Sequence, residues 1–188
     1  MTVILLAAGL STRMGKNKLL LPLGSEPLLL HSIRAALSFT DEVLVVTGHE
    51  REKTEALLSG FPVKLVYAPD YAKGQGFSMR SGLMACPDQD FAIIPADLPL
   101  VSAEDYRRTQ AGLSISSIAR PVHDGVPGHP VMFSKEHRER LLAFPGRFKN
   151  YVDQHSPALV PGSIGTVLDA DTPESYSRLL SLYRDTAI

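Results

Sequence analysis

Short, largely apolar runs recur along this chain at 3–7, 43–47, 63–67, 91–95 and 115–119, and the segments between them carry helical spacing. Runs of this length with little polar alternation predict strands buried on both faces. Between them, 27–38 sets Leu28, Leu29, Ile33, Ala36 and Leu37 on one helical stripe, and 50–58 and 78–85 predict two further helices. Strand and helix in alternation require right-handed crossovers, which put helices on both faces of a mostly parallel sheet. The expected fold class is therefore α/β. A chain of 188 residues fits one core, so a single domain over 1–188 is expected.

After residue 120 the pattern changes. A stretch rich in glycine and proline at 121–130 leads to a short strand at 131–133 and a helix from about 134 to 142, expected as an elaboration of the sheet's edge. The last helix, 173–183, is announced by Asp171, Thr172 and Pro173, which supply N-cap and first-turn chemistry.

A net charge of -1 without any Lys/Arg block provides no basic field, so neither a nucleic-acid partner nor a membrane surface is expected, and any anion must be bound locally. Cys86 is the only cysteine, which excludes an intramolecular disulfide and a multi-cysteine zinc site. The apolar start at 3–10 has no basic segment before it and runs at once into Ser11, Thr12 and Arg13, unlike a signal peptide. No other apolar run approaches a membrane span of about 20 residues, and a cytoplasmic location is expected.

In an open parallel sheet, ligands sit beyond the carboxyl ends of the strands. The first run ends in Leu6, Ala7, Ala8 and Gly9, followed by Leu10, Ser11, Thr12, Arg13, Met14, Gly15, Lys16, Asn17 and Lys18. Glycine lets backbone N–H groups approach phosphate oxygens, and Arg13 and Lys18 neutralise charge that backbone dipoles leave unmatched. Two rival loops fail on spacing. A Walker A loop has four residues between glycine and Gly-Lys and then Ser or Thr, but here five residues separate Gly9 from Gly15 and Asn17 follows Lys16. A dinucleotide fingerprint needs a second glycine where Ser11 stands.

The string LAAGLSTRMGKNK resembles the signature of the MobA-like NTP transferases, which include molybdenum cofactor cytidylyltransferase and guanylyltransferase. The resemblance extends from Val3 to about Leu180 and implies a Rossmann-like fold of the nucleotide-diphospho-sugar transferase kind. It implies that the backbone at Leu6, Ala7, Ala8, Gly9 and Leu10 meets a nucleoside triphosphate, with Arg13 and Lys18 on the phosphates as catalytic cations and Lys16 solvated. Ala8 resembles the cytidylyl branch, since guanylyl members carry a second glycine there, so CTP is the preferred nucleotide. The resemblance also implies base recognition at Gly76 and Ser78, in the glycine turn and helix start after the third run; a bare helix start is the structural alternative, and Arg80 is left open between the base region and the surface.

Asp97 stands beyond the end of the 91–95 run. Magnesium takes hard oxygen ligands and keeps waters, so one or two carboxylates with triphosphate oxygens suffice, and Asp97 is the expected metal ligand and catalytic carboxylate. An N-cap is its structural alternative. Asp169 and Asp171 flank Ala170 and point the same way on an extended segment, so either one can complete the metal site. The resemblance selects Asp171, which precedes Thr172-Pro173 as the family's second metal residue does, and leaves Asp169 structural.

Gly125, Val126, Pro127, Gly128, His129 and Pro130 resemble the Gly-x-Pro-x-His-Pro segment of the cytidylyl branch, which implies that Gly128 and His129 border the acceptor. A histidine between such turn residues also serves structure alone. Where that branch carries Gly-Asp-x-Gly, this chain has Pro145, Gly146, Arg147, Phe148 and Lys149, without the aspartate. The expected reaction moves CMP from CTP with magnesium to a phosphate-bearing acceptor, molybdopterin carrying molybdenum, with a client molybdoenzyme as protein partner. A cytidylyltransferase for a sugar or polyol phosphate, or a maturation factor that binds without turnover, are the competing expectations.

Overall fold

A computed structural model describes residues 1–186. In chain order the elements are β1 (Thr2–Ala7), β2 (Pro22–Leu23), β3 (Glu26–Pro27), α1 (Leu28–Leu37), β4 (Val43–Thr47), α2 (Arg51–Leu57), β5 (Lys64–Tyr67), α3 (Gln75–Ala85) and β6 (Phe91–Pro95). They continue with α4 (Ala103–Ala111), β7 (Ile118–His123), β8 (Val126–Pro127), β9 (Val131–Phe133), α5 (His137–Ala143), α6 (Phe148–Gln154), β10 (Ala158–Pro161) and α7 (Pro173–Thr186). No helix among the described residues is long and apolar enough to cross a membrane.

The main sheet runs β10-β7-β9-β6-β1-β4-β5, with β8 paired to β7, while β2 and β3 form a separate hairpin. β4 and β6 pair with β1 in parallel, and β5 pairs with β4 in parallel. The period-two alternation of strand side chains splits the core into two clusters. Val3, Leu5 and Ala7 of β1 join Val43 and Val45, Ala92 and Ile94 in packing against α1, α4 and α7 through Leu29, Ile33, Tyr106 and Leu179. Ile4, Leu44, Val46, Phe91 and Ile93 face the other way, onto Met79 and Leu83 of α3, Leu141 of α5 and Val152 of α6. Helices therefore cover both faces, as the alternation of runs requires.

One expectation is corrected. The strand at 131–133 is not an edge elaboration: β9 lies inside the sheet, antiparallel to both β6 and β7. Its three residues are apolar and fully buried, Val131 and Phe133 in one cluster and Met132 in the other, so a central position is the one that removes all of them from water. The strand expected at 115–119 starts at Ile118, because a turn of 3-10 helix at Gly112–Ser114 follows α4 and Ile115 is 77% exposed. β10, preceded by Pro157 and ending in Pro161, is not legible as a strand.

Since β9 opposes both neighbours, β6 and β7 point the same way, and β10 follows β7 in parallel. The carboxyl ends of β5, β4, β1, β6, β7 and β10 thus share one edge. The amino end of β9 arrives at that same edge and brings Gly128 and His129 with it.

Candidate active site

A cleft of about 560 Å³ opens along that edge. Leu6, Ala8, Gly9, Arg13 and Lys18 line it from the end of β1, Ser78 from α3, Asp97 from the turn after β6, Gly128 and His129 from the start of β9, and Asp171 from the approach to α7. Ala7 and Gly76 do not line it. The Ala7 side chain points into the core with Val3 and Leu5, and Gly76 lies exposed on the first turn of α3 while Gly74 and Gln75 face the cleft.

The loop after β1 is built from its own polar residues. Ser11 takes the left-handed conformation (φ 52°), its carbonyl accepts the Met14 N–H at 3.0 Å, and its hydroxyl accepts the Lys18 N–H at 3.3 Å. Gly15 supplies the second left-handed turn (φ 65°) that glycine adopts without a Cβ penalty. Buried Asn17 then accepts the Leu19 N–H, fixing the short helical turn on which Lys18 stands. Lys16 is exposed, as expected.

Lys18 projects between two carboxylates and donates to both Asp97 Oδ2 and Asp171 Oδ1, while Arg13 donates to Asp171 Oδ2. The Asp97 side chain is 8% exposed and that of Lys18 14%, whereas the Arg13 side chain is 67% exposed at the rim. Burial works against the charge on Lys18, but the Asp97 and Asp171 carboxylates outweigh it and hold its pKa above the ordinary value. Burial pushes the Asp97 carboxyl up, with the Lys18 ammonium pulling the other way. Asp171 is less buried, and Lys18 and Arg13 overcome its desolvation to hold it below the usual carboxylate range.

Neither aspartate is a helix cap. Ser102 caps α4 in a reciprocal box with Asp105, and Thr172 caps α7, accepting the Ser175 N–H at 3.2 Å. Both aspartates are left for the cleft. The turns that carry them are stitched together, with the Ala96 N–H on the Leu6 carbonyl at 3.1 Å and the Ala170 N–H on the Asp97 carbonyl at 3.2 Å. Asp169, left structural by the sequence reading, lies in the cleft too. It accepts the Asp171 N–H at 3.1 Å, and one carboxylate oxygen from each of Asp97, Asp169 and Asp171 lies within 4.8 Å of the others. Three convergent hard-oxygen donors fit a divalent cation, and the ammonium of Lys18 against two of them shows that the position already accommodates positive charge. The Asp-x-Asp spacing was the available signal for Asp169.

On the other side, Gly128 is pressed against the backbone. A Cβ there would lie 2.4 Å from the Thr166 carbonyl oxygen. Its N–H donates to the Pro121 carbonyl at 2.8 Å, its own carbonyl accepts Arg120 Nη2 at 3.1 Å, and the His129 N–H donates to the Thr166 carbonyl at 2.9 Å. The His129–Pro130 bond is cis. His129 Nδ1 is buried without a hydrogen-bond partner, and burial, reinforced by the Arg120 charge, pushes the ring down to about 4. The residue is neutral at physiological pH. Arg80 donates to the Leu142 carbonyl, and neither it nor the stretch from Pro145 to Lys149 lines the cleft.

Solved structures share the fold. A nucleotidyl transferase from Methanothermobacter thermautotroptrophicus matches with a TM-score of 0.82, covering 98% of each chain at 22% identity. A Mycobacterium tuberculosis protein crystallised in complex with manganese matches at 0.78, covering 96% of this chain and 97% of its own, at 24% identity. The fold is that of the nucleotide-diphospho-sugar transferases. The chain belongs to the MobA-like NTP transferase domain family, whose model matches residues 3–157. Molybdenum cofactor cytidylyltransferase of Escherichia coli (strain K12) is 29% identical over 182 residues, 92% of both chains.

Proposed function

We propose that the protein transfers CMP from CTP to a phosphate-bearing acceptor, molybdopterin carrying molybdenum, and releases pyrophosphate. The observation that carries this reading is the half-buried Lys18, held between Asp97 and Asp171 where the glycine loop ends. An acceptor phosphate oxygen attacks the α-phosphorus in line with the oxygen that bridges to the β-phosphate. The new P–O bond forms as that bridging bond breaks, and pyrophosphate leaves with the electron pair.

A phosphate monoester is already anionic, so no general base is required, and catalysis reduces to positioning and charge. The backbone N–H groups around Ala8, Gly9 and Leu10 meet the phosphates from one side. Arg13, exposed at the rim, leaves Asp171 for the β- and γ-phosphate oxygens, and Lys18 stabilises charge on the α-phosphorus oxygens. Leu6 and Ser78 border the nucleoside, and Gly74 and Gln75 occupy the lining that the sequence assigned to Gly76. Asp97 and Asp171, with Asp169 beside them, would hold magnesium, whose charge when bound neutralises the triphosphate. Gly128 and His129 border the acceptor, and His129 meets it with a neutral ring rather than a cation. A molybdoenzyme client receives the product. The alanine at position 8, where guanylyl relatives carry a second glycine, supports CTP as the nucleotide.

The test is a nucleotide-by-acceptor panel read as pyrophosphate release with magnesium. CTP with molybdenum-loaded molybdopterin is expected to dominate. A sugar or polyol phosphate as the better acceptor, or tight nucleotide binding without pyrophosphate from any acceptor, would overturn the assignment.

A further inference from the structure

The part of the cleft over β4 and β5 contains a contact that no sequence motif announces. Gly48 directly follows β4, whose end pairs with that of β1, and its Cα sits between Ala8 and Tyr71. A Cβ on Gly48 would lie 2.7 Å from the Ala8 Cβ, 2.7 Å from Tyr71 Cγ and 2.8 Å from Tyr71 Cβ. Gly48 is not in the left-handed region, so packing rather than backbone conformation demands glycine here. Tyr71 has little freedom to yield. The atoms met are the stem of its side chain, and its backbone is pinned by its N–H on the Ala68 carbonyl at 3.2 Å and its carbonyl under the Gly74 N–H at 3.1 Å. Ala68 in turn donates to the Thr47 carbonyl at 2.9 Å.

The ring of Tyr71 is thereby held beside Ala8, and both line the cleft with Gly74, Gln75 and Ser78. None of these five is charged, whereas Asp97 and the pair Asp169 and Asp171 gather at the end of β6. An aromatic face beside uncharged hydrogen-bonding groups is the chemistry that receives a nucleobase, since every base presents a π-face.

We propose that Tyr71 is the residue against which the nucleobase packs, and that Gly48 is a positioning residue whose missing Cβ lets the ring occupy that place. The inference rests on the nucleotide reading above. It is tested by equilibrium binding of CTP with magnesium, without acceptor, on the wild type and on Tyr71→Phe, Tyr71→Ala and Gly48→Ala. Tyr71→Phe keeps the ring and should bind within about 3-fold of wild type, while Tyr71→Ala and Gly48→Ala should each weaken binding roughly 10-fold. In turnover Tyr71→Ala should raise the nucleotide KM by the same factor, with kcat and the acceptor KM held within about 3-fold, because the charged groups and the loop at Ala8 are untouched. Should Gly48→Ala fail to fold, the Tyr71 pair decides alone. A Tyr71→Ala protein that binds CTP as tightly as a binding-competent wild type, or that loses kcat with KM unchanged, overturns the inference by itself. A wild type that binds no nucleoside triphosphate removes the nucleotide reading and the inference together.

Discussion

Gly128→Ala separates the two halves of the cleft. The added Cβ would stand 2.4 Å from the Thr166 carbonyl oxygen and 2.9 Å from its carbon, about 1 Å inside ordinary contact. Because the obstacle is backbone, no rotamer change relieves it. The two segments must part, which stretches the His129 N–H to Thr166 carbonyl bond, now 2.9 Å, while Pro121 and Arg120 hold Gly128 on its other side. Overpacking costs about 1–3 kcal/mol and a weakened hydrogen bond about 0.5–1.5 kcal/mol more, so a loss of roughly 2–4 kcal/mol is expected. For a chain of this length that lowers Tm by roughly 5–15 °C. Calorimetry supplies the Tm, and steady-state pyrophosphate release supplies the rest: the acceptor KM should rise while CTP binding stays near wild type, since Arg13, Lys18 and Asp97 lie on separate segments. Gly76→Ala is the control. A Cβ there meets nothing within 4 Å, so the change should add about 0.4–1 kcal/mol of stability and leave the nucleotide KM alone. A Gly128→Ala protein with unchanged Tm and unchanged acceptor KM would refute the reasoning.

Asp97→Asn should lose at least about 100-fold in turnover with Tm within about 2 °C of wild type, because the change relieves a buried carboxylate and Lys18 retains Asp171; activity that persists with added magnesium would reject Asp97 as a metal ligand. Lys18→Gln removes the ammonium that lies against Asp97 and Asp171, so manganese binding without nucleotide, followed by electron paramagnetic resonance, should tighten roughly 10-fold even as turnover falls; Arg13→Gln, exposed and on Asp171 alone, should change it far less. With its folded pKa near 4, below the unfolded value, His129 contributes stability that is fully present above about pH 6.5 and lost as pH falls through 4. Its ring-proton resonance should show no inflection between about pH 5.5 and 8, and a midpoint near 6.5 would contradict the burial.

How much of this was legible follows from the range of each interaction. The two-sided strands β1, β4 and β6 were legible because burial on both faces writes itself locally, as an apolar run, and the loop from Gly9 to Lys18 because its glycines and cations are consecutive. Asp97 was legible from its place after a strand. Gly48 and Tyr71 carry no such mark, since what places them at the cleft is contact with Ala8, distant in sequence, while the Asp-x-Asp spacing offers Asp169 and Asp171 alike and only the fold brings both to Asp97. Gly76 shows the converse, because a helix start reveals that donors are present but not which way its first turn faces, and Gly74 and Gln75 took the lining.

The misread edge strand is the most informative of these departures. Three residues, Val131, Met132 and Phe133, carry too little periodicity to distinguish a central strand from a marginal one. Yet the reversal they impose decides which residues share the cleft. Were β9 parallel to β6, its amino end would lie at the opposite edge of the sheet, and Gly128 and His129 would be a strand length from Lys18. Run antiparallel, the same segment delivers them to the carboxyl edge, where Thr166, from the turn after β10, receives the His129 N–H. On the proposed reading, the phosphate side of the cleft is written in one consecutive loop, whereas the acceptor side is assembled from β9 and β10 by topology. Substitutions in 121–133 and 161–167 should accordingly alter acceptor use while leaving nucleotide binding in place, which a CTP titration beside an acceptor titration distinguishes directly.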